Sequence, residues 1–245
     1  MAMLIPIRDL NPHKRFPVVT LGLIAANVLA YLATSDGLIG LSEQAAVQYG
    51  AIPCDVVGQC PAISQQLEQF FPSRSSSLSV LTSMFMHGDI LHLGFNMLFL
   101  WVFGNNVEDR LGRIRFPIFY LVTGLAAAFA HIAVNTGSNV PIVGASGAIS
   151  GILGGYAVLW PRATIISILP LGFFFTTIRT PAWVALGLWF VVQVFGSLAG
   201  LGQLGGGGVA FLAHIGGFVA GLALIIPFGA GRGPPQPVRD DDWVG

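Results

Sequence analysis

The chain has 245 residues, 54% of them hydrophobic and only 9% charged, and its formal net charge is zero. A soluble domain carries about 25% charged residues, so this composition excludes an ordinary water-soluble fold, and the mean hydropathy of +0.75 agrees. Zero net charge removes the basic footprint that nucleic-acid binding needs. The 32 glycines suit helices that approach closely in lipid. The composition predicts an all-α, multi-pass membrane protein in contact with the lipid bilayer.

Residues 1–15 read as a short polar N-terminal segment with no cleavable signal pattern. Apolar runs then predict six spans, at 16–34, 91–107, 116–134, 146–160, 181–199 and 209–227. Several are shorter than the roughly 20 residues that a bilayer requires, so flanking residues must extend them or the bilayer must thin. A further run, 163–175, is broken by Pro170 and Gly172 and reads as an interfacial or re-entrant connection. The long connection 36–87 carries Asp36, Glu43, Asp55 and Glu68 against the single Arg74. It also holds both cysteines, Cys54 and Cys60, for which a short-loop disulfide and two free thiols stand open. Residues 200–208 are glycine-rich and read as a lid or a plain linker before the sixth span, and 229–245 as a disordered tail.

Basic residues orient the spans. With the N-terminus inside, ten of the eleven Lys/Arg lie on the cytoplasmic side and only Arg74 lies outside. Both termini are then cytoplasmic, and 16–228 forms one six-helix domain. Counting 163–175 as a seventh span would move Arg179 outside and send Ser146 and His214 to opposite faces.

Six spans put the candidate polar groups in one layer. Ser146 opens the fourth span in Gly144-Ala145-Ser146-Gly147, and His214 lies early in the sixth. His92 and Asn96, four residues apart on one helical face, begin the second. At about 1.5 Å per residue, all four fall within roughly 10 Å of the outer end of the hydrocarbon core. An ionisable group in lipid is costly enough to imply function, and a serine beside a histidine can perform acyl transfer. Each residue also has a plainer reading: a cap or packing serine, and helix-bridging His92 and Asn96. His87 and Asp89 are placed at the interface, and His131 reads as structural. Gly147, Gly151 and Gly155 face Gly217 and Gly221 as two stripes that permit a close helix crossing. The cluster lacks carboxylates and thiolates, so no metal or cofactor is expected.

Four motifs in order carry a resemblance: His92-x-x-x-Asn96, Gly104-x-x-x-Glu108-x-x-x-Gly112, Gly144-Ala145-Ser146-Gly147, and Ala213-His214-x-Gly216-Gly217 followed by Gly221. From the second span onward the chain resembles the rhomboid family of intramembrane serine proteases. The resemblance implies a six-transmembrane-helix bundle with a water-filled cavity open to the outside. It implies Ser146 as nucleophile and His214 as general base, a dyad without a carboxylate. His92, Asn96 and the Ser146 N–H form the implied oxyanion hole, with Gly144, Gly147, Ser150 and Gly217 supporting the site. The fifth span, with Trp183, Trp189 and Phe190, is the implied side gate. Expected substrates are membrane proteins with a single transmembrane helix, and the expected location is a bacterial inner membrane.

Two departures stand out. Many members carry an aromatic residue four positions after the nucleophile, stacked on the histidine; here it is Ser150. Something else must orient His214, and Ser150→Tyr is expected to be tolerated; the alternative is that Ser150 lets the fourth and sixth helices pack closely, where a tyrosine is too large. The Trp-Arg pair of some bacterial members is missing from the first outer loop. Two other classes remain: a non-catalytic rhomboid-like protein that binds membrane helices, and a small transporter or channel, which would more often show paired charges in its spans.

Overall fold

The computed structural model describes residues 4–11, 14–37, 40–171, 174–200 and 210–229. The chain begins with β1 (Ile5–Asp9) and α1 (Val18–Thr34), followed by a two-residue pair, β2 (Ser35–Asp36) and β3 (Gly40–Leu41). The long connection before the second apolar helix folds into α2 (Glu43–Tyr49), α3 (Pro53–Val56), α4 (Pro61–Phe70), α5 (Ser76–Thr82) and a 3-10 turn at Ser83–Phe85. Then come α6 (Ile90–Leu111), α7 (Arg115–Val134), α8 (Ser146–Leu159), the hairpin β4 (Thr164–Leu171) and β5 (Phe174–Pro181), α9 (Ala182–Gly200) and α10 (Phe211–Gly229). Helices α1, α6, α7, α8, α9 and α10 fall where the apolar runs predict. Among the described residues, α6, α7 and α10 are long and apolar enough to cross a membrane, while the other three are shorter apolar helices.

Helix α8 is the centre of the molecule, and every residue from Gly147 to Tyr156 is buried. Its composition explains how two neighbours, α10 and α7, reach it. On α10, Gly217 and Gly221 lie against the carbonyls of Gly147 and Gly151, while Gly154 of α8 lies against the Phe218 carbonyl. A side chain at any of these positions would overlap backbone. On the α7 side, a Cβ at Gly147 would come 2.6 Å from Ala127 Cβ, and Gly151 meets Thr123. Such close backbone approach is how small residues bind helices in lipid, where no hydrophobic drive separates one apolar surface from another. Large side chains fill the space around this crossing, with Phe103, Phe116, Phe119, Tyr120 and Tyr156 wholly buried.

The Gly104/Glu108/Gly112 motif fastens α1 to α6. Helix α1 starts after Pro17 with no side-chain cap of its own. The Glu108 carboxylate supplies one from α6, accepting from the N–H of Val19 (3.0 Å), the N–H of Thr20 (2.7 Å) and Thr20 Oγ1 (2.7 Å). A carboxylate at a helix N-terminus satisfies free N–H groups and the helix dipole together. Gly104 leaves room for Thr20, whose side chain would lie 3.3 Å from a Cβ there. Gly112 ends α6 with φ 82°, a left-handed geometry that glycine adopts without strain.

The all-α expectation is corrected to a mostly helical fold. Strands β1, β4 and β5 form an antiparallel sheet in the order β1-β4-β5, pairing Ile5 with Ile168 and Thr164 with Pro181. Run 163–175 therefore falls on β4 and the start of β5. The cause is β-branched content: β4 carries Thr164, Ile165, Ile166 and Ile168, β5 carries Thr176, Thr177, Ile178 and Thr180, with Ile165 opposite Thr180 and Ile168 opposite Thr177, and such residues favour the pleated surface. Hydropathy counts these side chains without reading their alternation. The N-terminal segment also has structure, for Asp9 Oδ2 accepts from Asn106 Nδ2 (2.6 Å) and Tyr156 Oη (2.7 Å).

In the long connection, Cys54 and Cys60 form a disulfide. Beside it the buried Arg74 guanidinium pairs with Asp55 and donates to the carbonyls of Val47 (3.0 Å) and Gly50 (3.3 Å). Burial pushes the Asp55 pKa up, but hydrogen bonds from Ser64, Ser76 and Arg74 outweigh it and hold the carboxyl below the ordinary value. Beyond Gly200 the suggested lid lies outside the described residues, as does the suggested tail beyond Gly229.

Candidate active site

The approach to Ser146 is set by Gly144. Its φ of 127° disfavours any other residue, and a Cβ there would come 2.9 Å from Cε1 and Nε2 of His92. Its N–H donates to the Ser83 carbonyl at 2.9 Å, so the 3-10 turn at Ser83–Phe85 holds the loop in place. The chain then enters α8 with Ser146 as its first residue. The first N–H groups of a helix have no acceptor within it and carry the positive end of the dipole. Negative charge developing beside Ser146 is favoured there.

His214 lies in the first turn of α10, 9% exposed, and its Nε2 is 2.8 Å from Ser146 Oγ. Its Nδ1 is 2.8 Å from Oε1 of Gln193, a buried residue of α9. An amide oxygen only accepts, so Nδ1 carries the ring proton and Nε2 is left to accept from the serine hydroxyl. The α8–α10 glycine crossing lies next to this pair, with Gly147 and Gly217 in direct backbone contact. Sequence reasoning missed Gln193. Its one signal was a lone amide within an apolar run, one turn after Trp189.

Ser150 is 1% exposed and donates from Oγ to the Ser146 carbonyl at 2.6 Å. A tyrosine there would have to displace its neighbours, which favours a packing role for Ser150 over the expectation that Ser150→Tyr is tolerated. The aromatic neighbours of His214 come from elsewhere: Trp189 of α9 at 6.0 Å between ring centres and Phe211 of α10 at 6.5 Å.

His92 and Asn96 sit in the first two turns of α6. Asp89 caps that helix, its Oδ1 accepting from the His92 N–H at 2.8 Å. The Gly88 N–H donates to His92 Nδ1 at 3.4 Å. This assigns the ring proton to Nε2, the atom beside Gly144. Asn96 is buried and donates from Nδ2 to the His92 carbonyl at 3.0 Å, a bond within its own helix rather than a bridge to another.

His87 is buried within the protein. It is 0% exposed, edge-on to His92 at 5.1 Å between ring centres, and neither ring nitrogen has a hydrogen-bond partner. Burial first, and the neighbouring His92 second, push its pKa down to about 4. Asp89 is exposed, and His131 lies in the last turn of α7. A cavity of about 560 Å³ lies elsewhere, between the end of α1, α2 and α5, and includes Asp36, Gln48 and Tyr49 but none of Ser146, His214, His92 or Asn96.

Fold and site together define an integral membrane protein with a serine–histidine pair held between two packed helices. Residues 74–230 match the Rhomboid domain, and the chain belongs to the rhomboid family. It is 33% identical over 152 residues to Rhomboid protein 1, mitochondrial, of Saccharomyces cerevisiae, covering 60% of this chain and 41% of that protein. It is 31% identical over 206 residues to Presenilin-associated rhomboid-like protein A, mitochondrial, of Danio rerio, covering 80% and 51%. To Rhomboid protease GluP of Bacillus subtilis it is 35% identical over 150 residues, covering 60% and 26%. The matches span about half or less of the length of these relatives.

Proposed function

We propose that this protein is an intramembrane serine endopeptidase that cleaves transmembrane or juxtamembrane segments of single-span membrane proteins. The observation that carries the reading is the 2.8 Å approach of His214 Nε2 to Ser146 Oγ, with the opposite ring nitrogen already held. Ser146 Oγ attacks the scissile carbonyl as His214 Nε2 takes its proton. The imidazolium then returns that proton to the leaving amine, and a water repeats the sequence to release the acyl group. The carbonyl oxygen takes on charge beside the Ser146 N–H, His92 Nε2–H and Asn96, preorganised donors in a site of low dielectric. That a relative from Bacillus subtilis is named a rhomboid protease supports the same reading.

A six-span arrangement with both termini cytoplasmic is the proposed topology, supported by the six apolar helices and the one-sided basic residues. The disulfide then faces the oxidising exterior. The expected bacterial inner membrane is not supported, because two of the three named relatives are mitochondrial.

The test is purified protein in detergent, incubated with a single-span substrate and, separately, with a fluorophosphonate probe. Wild type should cleave and label. Ser146→Ala and His214→Ala should each lose cleavage by a factor on the order of 10³ or more, with melting nearly unchanged. A Ser146→Ala protein that cleaves at the wild-type rate sinks the assignment. So does a wild-type protein that binds the substrate yet neither cuts it nor reacts with the probe.

A further inference from the structure

Helix α9 presents two side chains to His214 from consecutive turns of one face. Trp189 lies 6.0 Å from the imidazole between ring centres, and Gln193 Oε1 lies 2.8 Å from Nδ1. The same helix grips α10 one turn further along, where Phe190 stacks on Phe218 at 4.8 Å. Helix α8, by contrast, offers His214 only the Ser146 hydroxyl among its hydrogen-bonding groups, since Ser150 is turned back to its own backbone.

We infer that Gln193 is the positioning residue for the general base, holding His214 in the Nδ1–H form from α9. This rests on the serine–histidine reading. A base flanked by nothing at Nδ1 could rotate or carry its proton on Nε2, the nitrogen that must accept from Ser146. An amide oxygen at 2.8 Å removes both alternatives. It also accepts from the imidazolium that forms as the serine attacks. A neutral amide does this without burying a second ionised group, which in an apolar site would be costly. Orientation of the base is thereby tied to the seat of α9 on α10, because Gln193 retreats with its helix.

The experiment measures kcat and KM across pH, and the rate of fluorophosphonate labelling, for full-length wild type, Gln193→Leu and Gln193→Glu. Labelling reads the serine–histidine chemistry without depending on entry of a large substrate. Gln193→Leu should lose kcat and labelling rate together by a factor on the order of 10², with KM little changed. Gln193→Glu should recover labelling, because a carboxylate accepts from the same Nδ1–H. Its acid limb should move to higher pH than in wild type, since a nearby anion favours the imidazolium. A residue that merely packs would lower melting temperature in the Leu variant and leave the pH profile of the Glu variant alone. Wild-type kcat in Gln193→Leu, or an unshifted acid limb in Gln193→Glu, overturns the inference while the protease reading stands. A wild-type protein that neither cleaves nor labels overturns both.

Discussion

Beside the Ser146–His214 pair, Asn96 and Ser150 are the two positions where a single substitution tells most. Asn96 donates one amide hydrogen to the His92 carbonyl, and the proposed mechanism assigns its other to a transition-state oxygen. Asn96→Ala should therefore lower kcat by roughly 10²-fold with little change in KM, the pattern of an interaction realised only in the transition state. A variant that melts lower yet cleaves normally would leave Asn96 with a helix-packing role alone. Ser150 has no space around it, being 1% exposed and bonded to the Ser146 carbonyl. Ser150→Tyr must push α8 away from its neighbours, and overpacking of this kind costs about 1–3 kcal/mol. Melting temperature and probe labelling should fall together. Ser150→Tyr at wild-type stability would show that α8 yields more readily than its burial implies.

At the scale of elements, the meeting of α8 with α10 governs the site, because it is what brings residues 146 and 214 within one hydrogen bond. The crossing tolerates no side chain at Gly221, which rests on the Gly151 backbone. Gly22 of α1 is the opposite case, with nothing within 4 Å of a Cβ. Gly221→Ala should separate the helices, lowering melting temperature and slowing fluorophosphonate labelling. Gly22→Ala should be neutral or stabilising by up to about 1 kcal/mol through helix propensity. Thermal melts of the two variants in one detergent compare them directly, and equal effects would mean the crossing is not the constraint described here.

For the whole molecule, the N-terminal strand is the element that ties distant parts together. β1 pairs with β4, and Asp9 at its end bonds to Asn106 of α6 and Tyr156 of α8. Burial pushes the Asp9 pKa up from 3.8 to about 7, against the lowering influence of the Tyr156 hydrogen bond. Its folded value is raised, so between these two values the native state holds a proton that the unfolded chain has released. Stability then falls as pH rises from about 4 to about 7 and levels off above. Denaturation of wild type across that range should show this downward slope, and Asp9→Asn should flatten it. An identical slope in both proteins would remove Asp9 from the account.

The sequence by itself determined where the six apolar helices lie, since apolar length and composition are properties of each segment alone. It also carried the facing glycine stripes and the pairing of Ser146 with His214, because residues at a common depth on close-packed helices have few ways to avoid one another. The sheet was not legible, for an apolar run of β-branched residues has the same hydropathy in a strand as in a buried helix, and only its partners in β1 and β5 choose. Nor was Gln193, whose role exists only because α9 lays one face against α10. The full burial of His87 was not legible either. Tertiary structure decided these points because a hydrogen bond or a buried ring depends on which distant segment arrives beside it.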